Sequence, residues 1–156
     1  MKKLSHYDSS GSPRMVDVSS KPATRRTAHA QAFVRIRAAV LKKLPENPKG
    51  NPLEIARIAG ISAAKRTAEL IPLCHPLGLS HVGVEVAIEK RGVRIVASAA
   101  TTGPTGVEME ALTAAAVAAL TVYDMLKALD KSIEIQDLYL LRKTGGKSGA
   151  FRRQEE

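Results

Sequence analysis

Tryptophan is absent from this chain, cysteine occurs once, and only three tyrosines and two phenylalanines are present. Each shortage excludes something. A lone Cys74 rules out an internal disulfide and suits a reducing compartment, so a cytoplasmic location is expected. With so few aromatic rings the core has to be aliphatic and alanine-rich. The scattered Tyr7, Phe33, Tyr123, Tyr139 and Phe151 also make a poor stacking platform for single-stranded nucleic acid. Long hydrophobic runs are missing too. The most apolar stretch is interrupted by Thr113 and Thr121 and is too short to span a bilayer, and Met1-Lys2-Lys3 is followed by polar residues rather than the apolar segment of a secretory signal.

What the chain has in excess is positive charge. Lysine and arginine number 24 against 15 acidic residues, a net charge of +9. Such a balance attracts anions, whether nucleic acid, an acidic membrane or a phosphorylated small molecule. At 156 residues and 44% hydrophobic content, the chain is long enough for one domain with a buried core.

The segment Gly103 to Leu129 organises the rest. From Gly106 onward it reads as one helix about 36 Å long, built in its middle from Ala111, Ala114, Ala115, Ala116, Ala118 and Ala119, side chains small enough for another backbone to come close. Glu108 and Glu110 lie in its first turns, where the helix dipole favours carboxylates, and Lys127 lies near its end, where a cation is favoured. Asp124 sits at the unfavourable pole and therefore needs a partner, which Lys127 at i+3 supplies. Asp124 falls within about 40° of Glu110 around the helix yet about 21 Å along it. One small ligand does not reach both, so a site using both ends is expected to be completed by another copy of the chain.

In chain order, residues 1–13 read as a flexible polar arm, 14–143 as one folded domain and 144–156 as a flexible glycine-rich segment. Met15-Val16-Asp17-Val18 is a candidate extended piece. Ala28, Ala30, Ala32, Val34 and Ile36 alternate with His29, Gln31, Arg35 and Arg37, a strand with one basic face. Ala38 to Leu44 reads as a short helix ended by Pro45, and the proline-rich loop that follows carries Lys49. Leu53 to Leu70 is a second helical pattern, with Ile55, Ile58, Ile61, Ala64, Ala68 and Ile71 expected inward and Arg57, Lys65 and Arg66 outward. Gly60 inside it signals a close approach. Val82 to Ala100, turning at Lys90-Arg91-Gly92, is a β-hairpin, and Ile133 to Leu141 gives a last strand.

Pro72-Leu73-Cys74-His75-Pro76 is held stiff by its flanking prolines. Ligand spacing for a metal is missing, because His6, His29 and His81 are scattered, and no metal is expected. Cys74 and His75 as nucleophile and base are disfavoured, since neighbours in extended chain point apart. An acid–base or substrate-positioning histidine and a merely structural one both remain open. The GGKSG of Gly145 to Gly149 lacks the spaced first glycine and following helix of a P-loop, leaving Lys147 either to close over a phosphate or to sit in a disordered tail.

The order strand, helix, strand, strand, helix, strand is that of an α+β, ferredoxin-like fold, an antiparallel sheet with two main helices on one face. That fold hosts enzymes and RNA-binding modules alike. A basic RNA-binding domain is the rival from another class, recognised by tight, salt-sensitive RNA affinity without turnover.

Met15 to Ser19 (MVDVS), Ala56 to Thr67 (ARIAGISAAKRT), Leu70 to Leu77 (LIPLCHPL), Thr105 to Met125 (TGVEMEALTAAAVAALTVYDM) and Gly145 to Gly149 closely resemble the cyclic pyranopterin monophosphate synthases, the MoaC-type enzymes of molybdenum cofactor biosynthesis. The resemblance implies a lyase that converts 3′,8-cyclo-7,8-dihydro-GTP to cyclic pyranopterin monophosphate and releases pyrophosphate, without metal or organic cofactor. It implies a ferredoxin-like hexamer, a trimer of dimers with active sites at a dimer interface, acting on a phosphorylated purine-derived small molecule rather than on nucleic acid or membrane. By that resemblance Asp124 and Lys127 match the catalytic pair, Lys127 moving a proton and Asp124 orienting it. Leu73, Cys74, His75, Glu108, Met109 and Glu110 match the substrate-binding segments, the carboxylates accepting from the purine-derived ring. Lys49, Arg26 and Lys147 resemble the cations that meet the triphosphate. Pro104 departs from the basic residue that many members carry there.

Overall fold

A computed structural model describes residues 5–154. Its sheet is built on β1 (Thr24–Arg35), whose alternate residues Ala28, Ala30, Ala32 and Val34 are fully buried, as the period of two requires. β1 pairs on one side with β3 (Gly92–Gly103), itself hairpinned to β2 (Leu79–Glu89), and on the other with β4 (Glu134–Thr144). All pairings are antiparallel and the spatial order is β2-β3-β1-β4-β5, the ferredoxin-like arrangement with one short strand added. That strand, β5 (Phe151–Arg152), pairs with Arg142 and Lys143 and lies within the glycine-rich segment after residue 143, in which no strand is expected from periodicity. The last strand expected over Ile133 to Leu141 is β4, which runs on to Thr144 with its two parts either side of Asp137. Asp137, at φ 53°, forms the bulge that joins them.

Helices α1 (Ala38–Leu41), α2 (Pro52–Ala64), α3 (Thr67–Leu70) and α4 (Glu108–Leu126) accompany the sheet. α1 is shorter than expected, its remainder being a 3-10 turn at Leu44–Glu46. α4 is the rod foreseen, starting at Glu108 rather than Gly106 and ending at Leu126 rather than Leu129, so that Lys127 caps it. Ala111, Ala114, Ala115, Ala118, Ala119, Val122 and Leu126 are all fully buried between the sheet and α2.

α2 corrects two expectations. The helix ends at Ala64 rather than Leu70, because the Thr67 hydroxyl donates back to the Ala64 carbonyl at 3.0 Å and α3 starts afresh. Its inward face is Ala56, Gly60, Ala63 and Ala64, while Ile55 and Ile58 are 37% and 61% exposed. Against a surface made of alanine, only alanine and glycine allow the backbones to meet, so the larger isoleucines turn outward. Ala64, and the outward Arg57, Lys65 and Arg66, lie as expected. Residues 1–4 of the expected arm lie outside the described residues. The next ones form a loop closed by a Tyr7–Pro13 bridge, with the Asp8 carboxylate accepting from Ser10 and Ser12. Met15 to Val18 joins no strand.

Candidate active site

The N-terminal end of α4 opens into a cleft of about 460 Å³. Glu108, Met109 and Glu110 enter from the helix's first turn, Leu73, Cys74 and His75 from the stiff segment before β2, and Arg26 and Lys147 from β1 and the tail after β4. Eight of the eleven residues singled out in the sequence thus share one cavity.

Local chemistry fixes each of them. Since a carbonyl only accepts, the 2.6 Å contact of His75 Nε2 with the Val16 carbonyl places a proton on Nε2 and, in the neutral ring, leaves Nδ1 as an acceptor. This contact draws Val16, and with it Val18, into the wall of the cleft. Arg26 donates through Nε to the Gly103 carbonyl at 2.9 Å and through Nη2 to that of Pro104 at 3.2 Å, so the turn into α4 aims the guanidinium. The tail then passes over it at Gly145 and Gly146, with φ of 86° and 80°, where a Cβ on Gly146 would lie 2.3 Å from Arg26 Nη1. The glycines are what allow Lys147 to reach the cleft.

Lys143 was not among the residues singled out. It lies in the cleft 3.9 Å from Glu108 Oε1 and donates to the Ser148 hydroxyl, tying the tail to the first turn of α4. Strand alternation along β4 puts it on the helix side of the sheet, a weak signal beside the stronger GGKSG. Lys21 and Val18 complete the wall.

Lys49, Asp124 and Lys127 are elsewhere. Asp124 Oδ1 and Lys127 Nζ pair at 2.6 Å at the far end of α4, exposed. The loop bearing Lys49 is pinned beside them by Asn47, whose side chain donates to the Met125 carbonyl at 3.0 Å and accepts from the Lys49 amide at 2.9 Å. Glu110 and Asp124 are separated by about 21 Å along the rod. One protomer therefore holds two constellations, one at each pole of α4.

The family model described as the MoaC family matches residues 15–146, a span that contains both constellations except for Lys147. The chain belongs to the MoaC family. It is 54% identical over 155 residues to the cyclic pyranopterin monophosphate synthase of Parvibaculum lavamentivorans, covering 97% of each chain. It is 56% identical over 151 residues to that of Corynebacterium efficiens (96% of this chain, 97% of the relative), and 53% identical over 156 residues to that of Deinococcus radiodurans (97% and 91%).

Within this MoaC-family site the electrostatics divide by pole. Burial, with the neighbouring Glu108 charge adding to it, raises the pKa of the Glu110 carboxyl, which is only 4% exposed. Burial and then Glu110 likewise push up the Cys74 thiol, which disfavours the thiolate needed for nucleophilic attack. At the other pole the hydrogen bond from Lys127, then its charge, then that of Lys49 lower Asp124, and Asp124 raises Lys127 in return. The lysine is held as a cation, suited to donating a proton or meeting a phosphate. Among the described residues no three metal-ligating side chains converge.

Proposed function

We propose that this chain is a lyase that converts 3′,8-cyclo-7,8-dihydro-GTP to cyclic pyranopterin monophosphate with release of pyrophosphate, an early step of molybdenum cofactor biosynthesis. Relatives above half identity over nearly the whole chain carry that name. The observation that carries the reading is the composition of the cleft, where the buried Glu110 carboxyl, Glu108 and His75 line one cavity together with the cations Arg26, Lys143 and Lys147. A purine-derived ring offers N–H donors to the first. A triphosphate meets the second, where several charged donors act together. Closing a cyclic phosphate requires an oxygen nucleophile at the α-phosphorus and departure of pyrophosphate. Cations aimed at those oxygens stabilise the charge that accumulates.

Leu73, Cys74, Met109, Glu108, Glu110 and His75 hold the ring system. Asp124, Lys127 and Lys49 come from a second copy of the chain, Lys127 transferring the proton and Asp124 orienting it, in a hexamer arranged as a trimer of dimers. Supporting that assembly, Ile58, Leu70 and Leu120 are each more than half exposed, and Ile55 is partly so. The catalytic domain spans 14–143, and the segment after it brings Lys147 to the cleft and β5 to the sheet. The enzyme works in the cytoplasm, in keeping with its unpaired Cys74. α4, the one described helix long and apolar enough to cross a bilayer, is committed to the core.

The test is mass spectrometry of the product formed from the cyclised GTP derivative, with pyrophosphate measured alongside. Lys127→Ala should cost about 10²–10⁴ in turnover while the oligomer persists. Product formation near the wild-type rate would remove Lys127 from the mechanism, and absence of product from the wild-type chain would remove the reading.

A further inference from the structure

The face of the sheet turned away from the helices carries a basin of about 810 Å³ that the cleft does not share. Its floor is a row across three strands. His29 on β1 is registered opposite Arg142 on β4, and Arg142 opposite Arg152 on β5. Successive residues of a strand face opposite sides, so Arg142 looks into this basin while Lys143 looks into the cleft.

Two arginines directly opposed on neighbouring strands repel each other, and β5 is only two residues long. Its anchors are modest. The Arg153 amide donates to the Leu141 carbonyl at 2.8 Å and Arg153 Nε to the Leu140 carbonyl at 3.2 Å. Arg142 donates to His29 Nε2 at 3.3 Å, and among the described residues neither it nor Arg152 has a carboxylate partner. Arg94 is different. It is already neutralised by Glu89 at 2.5 Å and held by Gln31 at 3.0 Å. Among the described residues the basin thus combines a fixed wall with two guanidinium groups that no carboxylate neutralises, an arrangement that a bridging anion stabilises.

We propose that this face carries a second anion site, centred on Arg142 and Arg152, which takes a compact phosphate-class anion, inorganic phosphate or diphosphate. Planar guanidinium forks suit phosphate oxygens in paired hydrogen bonds. The size class follows from Tyr139. The Arg153 guanidinium covers one face of its ring at 4.2 Å, and its hydroxyl accepts from Gln31 at 2.7 Å, so the ring is already engaged where a nucleobase would stack. Stacking, the usual source of affinity for single-stranded nucleic acid, is lacking here.

The test uses the full chain and inorganic pyrophosphate, with inorganic phosphate as a second probe. Calorimetry on wild type should resolve two classes of site. Arg142→Gln with Arg152→Gln should remove one class, and Arg26→Gln with Lys147→Ala should remove the other. Phosphate at the sheet site should bind more weakly than diphosphate, marking the bridging of both arginines. A second variant guards against misfolding. In the Arg26→Gln, Lys147→Ala background, pyrophosphate should raise Tm by roughly 2–4 °C. Adding Arg152→Glu should raise Tm without the anion and abolish that shift, since a carboxylate then neutralises Arg142. An isotherm unchanged by Arg142→Gln with Arg152→Gln, or a shift undiminished by Arg152→Glu, overturns the proposal. So does RNA binding that these substitutions abolish while pyrophosphate binding persists.

Discussion

Asp130 shows how a single side chain carries pH dependence. It follows α4, is buried, and accepts from Arg37 at 2.7 Å and from the Ser132 hydroxyl and amide at 2.6 and 2.9 Å. Those hydrogen bonds, that of Arg37 first, lower its pKa to about 2. The unfolded value is about 3.9, so the contribution is present above that pH and is lost as pH falls through the folded value. Asp130→Asn should therefore unfold at lower urea concentration than wild type at pH 6, and the gap between their midpoints should close toward pH 2. A gap that ignores pH would mean the charge is not what holds this junction. Legibility at this scale follows sequence distance. The Asp124–Lys127 pair was readable because i and i+3 on one helix are neighbours whatever the tertiary structure. Lys143 bridging Glu108 and Ser148 was not, because it depends on where a strand, a helix and a tail are brought together.

At the scale of elements, α2 against α4 is the contact most sensitive to a small change. An ideal Cβ on Gly60 would lie 2.8 Å from the Ala114 carbonyl oxygen, 3.1 Å from Val84 Cγ2 and 3.2 Å from Ala118 Cβ. Gly60→Ala gains up to about 1 kcal/mol of helix propensity but forces the two helices apart, a strain of about 1–3 kcal/mol. The expected net result is a Tm lower by a few degrees with helix content unchanged by circular dichroism. A higher Tm would show that the interface relaxes freely. The order of the four long strands and the two main helices was readable from period and punctuation, and Gly60 itself marked a close approach. The direction in which α2 faces was not, because hydrophobicity ranks isoleucine above alanine while an alanine-lined partner selects for size. β5 escaped notice because two residues give no period at all.

At the scale of the whole molecule, the distance between the poles of α4 decides the architecture of catalysis. The cleft holds Glu110, His75 and Arg26, while Lys127 lies at the other end of a rigid, alanine-packed rod. If a second copy supplies Lys127, each site of a dimer contains His75 from one chain and Lys127 from the other. Two variants, His75→Ala and Lys127→Ala, are then each inactive alone, but a mixed dimer carries one site with both lesions and one with neither. With random exchange half of the dimers are mixed and half of their sites are intact, so mixing equal amounts should restore about a quarter of wild-type turnover. Leu120→Asp, on the exposed apolar face of the same helix, should lower that recovery by weakening association while leaving the monomer folded. Mixtures that exchange chains, as followed by native mass spectrometry, yet regain no activity would place both residues' work within one protomer, and the distance along the rod would then rule out their joint action on one small substrate.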